Sequence, residues 1–490
     1  MRLASTDRYL ELLSTTLEAV IAPELRSADA RGAADAMRAA IDELRKRESV
    51  TPALLHAHLA QGYAIAARMD AVLGTSPLPI SAHLDETGDA RDYATLREEF
   101  NRLTAQLALL AERLIAFRAN HSPSELIISS LLTEAAAWER DYYVEQASLS
   151  TPPPRAARVQ RGAPLSRESL QAFLRQCHPN GDSVELVAFE PIPGGFSKQT
   201  FRMAIRNADH SVERRIVRKN APVQSMAYGG FMIENEFHLL RAVYATGLPV
   251  AQPLWLGKDV PGVDGDFYVM TELPGKVTGS YLGGASNAVS EDLLLQLAAL
   301  LGTLHAMPPE RFAGYWQHYL GDAARDVSVA TCYRREIAAA RAYEASEGFL
   351  PSPYLVHLFD WLDHHIPDSH RPAVLVHGDF NIHNMLAEDG RITGILDWEC
   401  ANFGASEQDL AWIKPHIAPL IDWNRFLARY RAHGGADVDE DTMRFCAAFN
   451  AMRTTLATNK HMLNVQDGIE NTMKFAMIEL GYASAHMRLI

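Results

Sequence analysis

The sequence predicts an α+β protein, with an all-α domain at its N-terminal end and a sheet-containing domain after it. Three observations lead to this prediction. Apolar side chains recur at helical spacing over residues 1–147. Short β-type apolar runs joined by turn residues follow at 184–220, and a helical pattern returns at 294–307. A chain of 490 residues also exceeds the size of one hydrophobic core, so two or three domains are expected.

The N-terminal domain, residues 1–147, is predicted to be a helical bundle. Its clearest amphipathic stripe advances by three or four residues at a time. The members of that stripe are Leu96, Phe100, Leu103, Leu107, Leu110, Leu114 and Phe117. A shorter stripe comprises Leu10, Leu13, Leu17 and Val20. The domain carries no nucleotide or metal motif, so we interpret the stripes as core. The alternatives are a lid against the domain that follows, a homodimer seam or a contact with a partner.

A linker is predicted at 148–165, because the triplet Pro152, Pro153 and Pro154 interrupts a stretch without apolar periodicity. The sheet-containing segment then occupies 166–272. An apolar strand at 267–273 ends at the pair Pro274 and Gly275, which breaks it and begins a mainly helical segment, 273–490.

A glycine turn joins the first two predicted strands of the sheet. It consists of Gly194, Gly195, Phe196 and Ser197. Glycines let backbone N–H groups approach a phosphate closely, so we assign these four residues to nucleotide binding. A plain hairpin turn is the commoner meaning of such a pair when it stands alone.

The third predicted strand ends in two cations, Arg218 and Lys219. Strand alternation directs their side chains to opposite faces, so only one of them can reach a nucleotide phosphate. We favour Arg218. The following helix, 231–243, offers Glu236 as the partner of that cation, with Glu234 as the competing candidate.

The segment 374–399 carries the densest chemical pattern of the chain. His377, Asp379 and Asn384 follow an apolar run in the spacing H-x-D-x-x-x-x-N, and Asp397 follows a second apolar run. This pattern is typical of a phosphoryl-transfer loop. Asp379 would accept the proton of a hydroxyl, while Asn384 and Asp397 offer the hard oxygen ligands that Mg²⁺ prefers. A hairpin in which Asp and Asn only form turns is the alternative.

The string HGDFNIHN followed by ILDW resembles the aminoglycoside phosphotransferase family, the choline-kinase-like branch of the protein-kinase fold. The resemblance covers roughly residues 166–490. It implies a bilobal protein-kinase-like fold with ATP or GTP and Mg²⁺ as cofactors. The backbone of Thr271, Glu272 and Leu273 would bind the base. Asp409 would support the loop. Many relatives have Ser-Asn where this chain has Ser197 and Lys198.

The resemblance implies transfer of the γ-phosphate to a hydroxyl of a small molecule. The C-terminal part is more similar to phosphotransferase domains associated with acyl-CoA dehydrogenases than to antibiotic kinases, which implies a hydroxyacyl or related acceptor. An aminoglycoside kinase and a catalytically silent nucleotide-binding regulator are the alternatives. Aromatic residues of the helical segment, among them Trp412, are candidates for the acceptor pocket, although such residues are more often core.

The formal charge of −14 argues against nonspecific nucleic-acid binding. A membrane-spanning helix needs about 20 consecutive apolar residues, and no apolar run in the sequence approaches that length. The four cysteines form no metal-binding pattern and are expected to be reduced thiols, so we expect a cytoplasmic protein.

Overall fold

A computed structural model gives the structure of the chain. It describes residues 10, 13–25, 28–49, 51–75, 93–118, 125–148, 165–192, 198–221, 226, 228, 231–261, 263, 265–278, 289–320, 327–367 and 371–466. The chain forms two compact units. The helical unit comprises 1–159, 344–365 and 451–490, and the sheet unit comprises 160–343 and 366–450.

The α-helices are, in chain order, α1 (Ala28–Ser49), α2 (Thr51–Leu73), α3 (Tyr93–Arg118), α4 (Glu125–Ser148), α5 (Arg167–Cys177), α6 (Ile233–Tyr244), α7 (Glu291–His305), α8 (Ala313–Leu320), α9 (Val329–Glu347), α10 (Pro353–His364), α11 (Glu407–Ile417), α12 (Trp423–Ala432) and α13 (Glu440–Gln466). The strands are β1 (Glu185–Ile192), β2 (Lys198–Arg206), β3 (Val212–Asn220), β4 (Pro253–Gly257), β5 (Phe267–Thr271), β6 (Lys276–Val277), β7 (Val374–Val376), β8 (Met385–Glu388), β9 (Arg391–Ile395) and β10 (Asn402–Gly404). No helix among the described residues is long and apolar enough to cross a membrane.

The core of the helical unit lies between α2, α3 and α4. The stripe predicted on α3 faces this core: its members from Leu96 to Leu114 are buried and Phe117 is partly buried. The shorter stripe does not form a continuous buried face, because the side chain of Leu13 is 54% exposed. That stripe also includes a π-helical turn, Leu17–Ile21, whose wider spacing departs from the α-helical period on which the prediction rested.

Two later segments of the chain complete the helical unit. Ser352 caps α10, and its hydroxyl donates to the buried carboxylate of Glu139 at 2.9 Å. The backbone N–H of Tyr354 donates to the same oxygen at 2.9 Å. Asn459 exchanges two hydrogen bonds with the backbone of Leu350, at 2.7 and 2.8 Å. The domain limits predicted from the sequence stay a prediction. They placed both of these segments in the C-terminal part of the chain, 273–490.

The sheet unit begins with a five-stranded antiparallel sheet in the order β1-β2-β3-β5-β4. Helix α5 starts at a capping box formed by Ser166 and Ser169 and buries Leu170 and Leu174 in the core beneath the sheet. Helix α6 follows β3, with Phe237, Leu240 and Val243 among its buried residues.

The remaining strands hold a short loop, 377–384, in place. Strand β7 enters this loop and pairs with β10, and β8 leaves it and pairs with β9 in a hairpin. The predicted class is therefore confirmed: an α+β chain in which a helical region precedes a kinase-like, sheet-containing domain.

Candidate active site

Loop 377–384 is anchored by a buried carboxylate. Asp409, in the first turn of α11, accepts hydrogen bonds from the backbone N–H groups of His377 and Gly378, each at 2.8 Å. The ring of His305 contacts the same carboxylate at 3.1 Å and the hydroxyl of Tyr430 at 3.0 Å. Since Asp409 is fully buried, these donors replace water around its charge, and the loop is fixed to the helical part of the sheet unit.

Asp379 lies at the centre of the loop with a donor on each carboxylate oxygen. The indole N–H of Trp412 donates to Oδ1 at 2.8 Å, and the amide of Asn384 donates to Oδ2 at 2.8 Å. The ring of His383 lies 3.5 Å from Oδ1. Burial opposes ionisation of Asp379, but the hydrogen bonds from His383 and Asn384 and the charges of His383 and His377 together hold its pKa below the ordinary value. Asp379 is therefore a carboxylate near neutral pH.

The β8–β9 hairpin brings Asn384 close to Asp397. Asn384 immediately precedes β8, and Leu396 and Asp397 immediately follow β9, whose Ile395 pairs with Met385. The backbone N–H of Leu396 donates to the carbonyl of Asn384 at 2.8 Å. Two sequence-predicted residues thirteen positions apart thus meet at the open end of one hairpin.

Asp397 has an uncommon backbone conformation for a residue with a side chain. Its φ of 66° and ψ of 61° are left-handed. The ring of His377 contacts the preceding carbonyl, that of Leu396, at 2.9 Å and so ties this turn to loop 377–384. Residues in such strained conformations cluster at functional sites, where surrounding contacts hold them in place.

Arg218 connects the sheet to this turn. Its guanidinium lies 3.0 Å from the carboxylate of Glu236 on α6, 3.3 Å from that of Glu399, and it also donates to Asp397. Its side chain is 11% exposed. Burial opposes the charge of Arg218, yet the three carboxylates raise its pKa well above the ordinary value, so it is a permanent cation.

Two further charged residues beside Asp397, Lys198 and Glu399, were not predicted from the sequence. The buried ammonium of Lys198 donates to the carbonyl of Phe231 at 2.8 Å and lies 3.7 Å from the carboxylate of Glu399. Burial and the charge of Asp397 raise the pKa of Glu399 to about 7, against the opposing charges of Lys198 and Arg218. The position of Glu399 two residues after Asp397 was the available signal. In the sequence, Lys198 differs from the family pattern, but nothing there indicates that its ammonium is buried beside Glu399.

The competing candidates for the cation and its partner lie elsewhere. Lys219 is fully buried and donates to the carbonyl of Asn220 at 3.2 Å, as strand alternation requires. Glu234 lies 2.7 Å from the ammonium of Lys258. Of the two cations that the sequence left open, Arg218 is the one that contacts Asp397. Of the two carboxylates, Glu236 is the one that pairs with Arg218.

The residues assigned to nucleotide binding are described only in part. Gly194, Gly195, Phe196 and Ser197 lie outside the described residues. Thr271 ends β5, and its backbone N–H donates to the carbonyl of Gln252 at 3.0 Å. Glu272 accepts from Arg202 at 2.7 Å, and Leu273 lies beside Gly394 of β9. The predicted base-binding segment therefore runs between the five-stranded sheet and the β8–β9 hairpin.

The sequence is similar to several known proteins. A model of the phosphotransferase enzyme family matches residues 188–447, which are 260 of the 490 residues. Acyl-CoA dehydrogenase family member 11 of Mus musculus is 28% identical over 279 residues, 56% of this chain and 33% of that protein. The chain thus spans about a third of the length of this curated relative.

Two further similarities concern smaller proteins. Hygromycin-B 4-O-kinase of Escherichia coli is 40% identical over 58 residues, 11% of this chain and 17% of that protein. The solved structure of a macrolide 2'-phosphotransferase from Brachybacterium faecium is 19% identical, with a TM-score of 0.39, and the match covers 66% of this chain and 98% of that one.

Proposed function

This chain belongs to the phosphotransferase enzyme family, as its motifs predicted, and from this premise we propose that it transfers the γ-phosphate of ATP to a hydroxyl of a small molecule. The observation that carries the proposal is the meeting of Asp379, Asn384 and Asp397 around one hairpin and one loop. GTP is the alternative donor, since recognition through backbone groups at 271–273 would constrain the base little.

Asp379 is the proposed general base. An ionised carboxylate is ready to accept the proton of an acceptor hydroxyl as the oxygen attacks phosphorus. Trp412 and Asn384 each donate to one oxygen and so fix the orientation of the carboxylate. Because Oδ1 also faces His383, Oδ2 is the oxygen that we propose meets the acceptor hydroxyl. Proteins catalyse phosphoryl transfer mainly by positioning the reactants and stabilising charge, with little covalent chemistry of their own.

Asn384 and Asp397 are the proposed Mg²⁺ ligands. The amide nitrogen of Asn384 is committed to Asp379, so its oxygen is the atom left for a cation. Asp397 accepts a hydrogen bond from Arg218 through Oδ1, and Oδ2 is the oxygen that we propose binds the cation. One amide and one carboxylate oxygen fit Mg²⁺, which is usually held by one or two carboxylates together with substrate phosphates. When bound, Mg²⁺ neutralises charge on the phosphates.

The charged cluster beside Asp397 is the proposed phosphate-binding side of the site. Arg218 and Lys198 bring two positive charges against the three carboxylates Glu236, Asp397 and Glu399. Ionisation of Glu399, whose pKa is about 7, gives the cluster an excess negative charge that favours a divalent cation, while the pairing with Glu236 holds Arg218 in place. We propose that Arg218 contacts the nucleotide phosphates and that Glu236 orients it, as a Lys–Glu pair does in protein kinases.

For the acceptor we propose a hydroxyacyl compound, such as a hydroxyacyl thioester. The similarity to a protein named as an acyl-CoA dehydrogenase family member supports this choice. The short match to hygromycin-B 4-O-kinase supports an aminoglycoside acceptor as the second candidate. An aminoglycoside is a polycation and calls for an acidic pocket. The candidate in this sequence is the acidic cluster of Asp437, Asp439, Glu440 and Asp441, but Asp437 and Asp441 are 92% and 88% exposed, as in a surface loop.

A panel of hydroxylated acceptors with MgATP tests the proposal. The panel contains hydroxyacyl-CoA thioesters, hydroxy acids, aminoglycosides, amino alcohols and sugars, and the product is identified as a phosphate ester by mass spectrometry. We expect a phosphorylated hydroxyacyl product. A phosphorylated aminoglycoside would replace the acceptor class and keep the reaction, whereas tight MgATP binding without any product would favour a nucleotide-binding regulator.

A further inference from the structure

A cluster of two histidines and one glutamate in the sheet unit has no part in the proposed phosphoryl transfer. Glu234 and His238 are four positions apart on α6, so their side chains share one face of that helix. His318 lies on α8. One ligand atom from each of the three residues can be chosen so that all lie within 4.8 Å of one another. The rings of His238 and His318 are 4.0 Å apart between centroids.

From this geometry we infer that Glu234, His238 and His318 form a binding site for a divalent transition-metal ion, with Zn²⁺ as its best-matched occupant. Two imidazole nitrogens and a carboxylate oxygen suit Zn²⁺, whereas Mg²⁺ and Ca²⁺ prefer oxygen ligands alone. Three protein ligands leave a fourth tetrahedral position for water. This site is distinct from the proposed Mg²⁺ site at Asn384 and Asp397, whose ligands are both oxygens.

The surroundings of the cluster are compatible with metal binding. Glu234 and His238 are half-buried and His318 is exposed, so an ion has access from solvent and displaces little packing. Lys258 lies 2.7 Å from Oε2 of Glu234, which leaves Oε1 as the metal-binding oxygen. Outer partners of this kind orient ligating carboxylates in known metal sites. Metal–ligand distances of about 2.0–2.2 Å require the three ligands to close by roughly an ångström, which the exposed side chain of His318 can provide.

Occupation of the site would fasten α6 to α8. Helix α6 also carries Glu236, two residues beyond Glu234, and Glu236 holds Arg218. A bound ion would therefore restrict the helix that positions the cation next to Asp397. Metal binding itself does not depend on the proposed phosphotransfer, although this consequence for Arg218 does.

Calorimetric titration of ZnCl₂ into the full chain, in an excess of MgCl₂, tests the site. We expect binding of about one Zn²⁺ per chain, weakened at least about tenfold in His238→Gln and in His318→Ala, since even outer partners change metal affinity by about 10–100-fold. His56→Ala is the matched control, because His56 is an exposed histidine of the helical unit, and its affinity should equal that of the parent. Absence of Zn²⁺ binding in the parent, or parent-like affinity in His318→Ala, would overturn the proposal.

Hydrogen–deuterium exchange tests the fastening of α6 without any measurement of activity. Zn²⁺ should slow amide exchange in peptides covering 233–244 and 313–320 of the parent, and should leave both unchanged in His318→Ala. Because His318 is exposed, this variant keeps the fold, which its circular dichroism spectrum will verify. Unchanged exchange in the Zn²⁺-bound parent would refute the fastening, and the outcome is independent of whether the chain phosphorylates any acceptor.

Discussion

Asp409→Asn tests whether one buried carboxylate holds loop 377–384 in its working position. Asp409 receives three donors: the backbone N–H groups of His377 and Gly378 and the ring of His305. Asparagine has the same shape but only one acceptor oxygen, so its NH₂ group must face at least one of these donors. If the oxygen stays on His377 and His305, the partly buried N–H of Gly378 loses its acceptor.

The expected size of the effect follows from that count. One buried donor without an acceptor costs about 1–3 kcal/mol. We expect the free energy of unfolding of the sheet unit to fall by this amount. If displacement of the loop raises the activation free energy by a similar amount, the rate of phosphoryl transfer falls about 10- to 100-fold, since about 1.4 kcal/mol corresponds to a factor of about ten.

Urea titration read out by hydrogen exchange in peptides of the sheet unit measures the stability, and the rate of ATP consumption measures the activity. Asp437→Asn is the matched control, because the side chain of Asp437 is 92% exposed and pairs with the surface residue Arg431. Both values should equal those of the parent. Parent-like stability and parent-like turnover in Asp409→Asn would refute the anchoring role.

Three further substitutions test other parts of the structure. Trp412→Phe removes the donor at 2.8 Å from Asp379, which raises the pKa of Asp379 and moves the acidic limb of the kcat/KM profile to higher pH. Arg218→Lys keeps the charge but loses the planar fork that contacts three carboxylates, so calorimetry should show MgATP binding about tenfold weaker. Burial raises the pKa of Glu139 to about 7, so folding takes up a proton between about pH 4 and 7, and the free energy of unfolding falls by up to about 3 kcal/mol as pH rises through this window. Glu139→Gln should abolish this pH dependence, as measured by thermal unfolding.

Each of these expectations has a contradicting result. A kcat/KM profile unchanged in Trp412→Phe would mean that the indole does not tune Asp379. Unchanged MgATP affinity in Arg218→Lys would place the phosphates elsewhere. A pH dependence retained in Glu139→Gln would assign it to another group, while stability at pH 8 below that of the parent would mean that Ser352 and Tyr354 need the charged carboxylate.

The sequence predicted those parts of the site that depend on local spacing. Asp379 and Asn384 are five residues apart, so one loop must hold both, and strand alternation separates Arg218 from Lys219 without knowledge of the fold. The contacts of Asp379 with Trp412 and of the loop with Asp409 join residues 33 and 32 positions apart. Such contacts depend on how α11 packs, which no local pattern specifies; the family resemblance implied the contact with Asp409, but nothing indicated the one between Trp412 and Asp379.

The same limit explains the helical unit. Apolar periodicity showed that one face of α3 is buried, but it did not show what covers that face. The segments 344–365 and 451–490 therefore could not be assigned to this unit from their own sequence. Lys198 is a similar case, because a lysine at the start of a strand gives no sign that its ammonium will be buried beside Glu399.

Comparison of Asp379→Asn with the parent chain is the most direct test of the central claim. MgATP affinity and the rate of phosphoryl transfer to the acceptor identified from the panel are measured on the same samples, with the exposed Asp441→Asn as control. A general base typically contributes about 10²–10⁴-fold. We predict a rate loss of at least that order with MgATP affinity within a few-fold of the parent. Transfer at the parental rate would contradict the account.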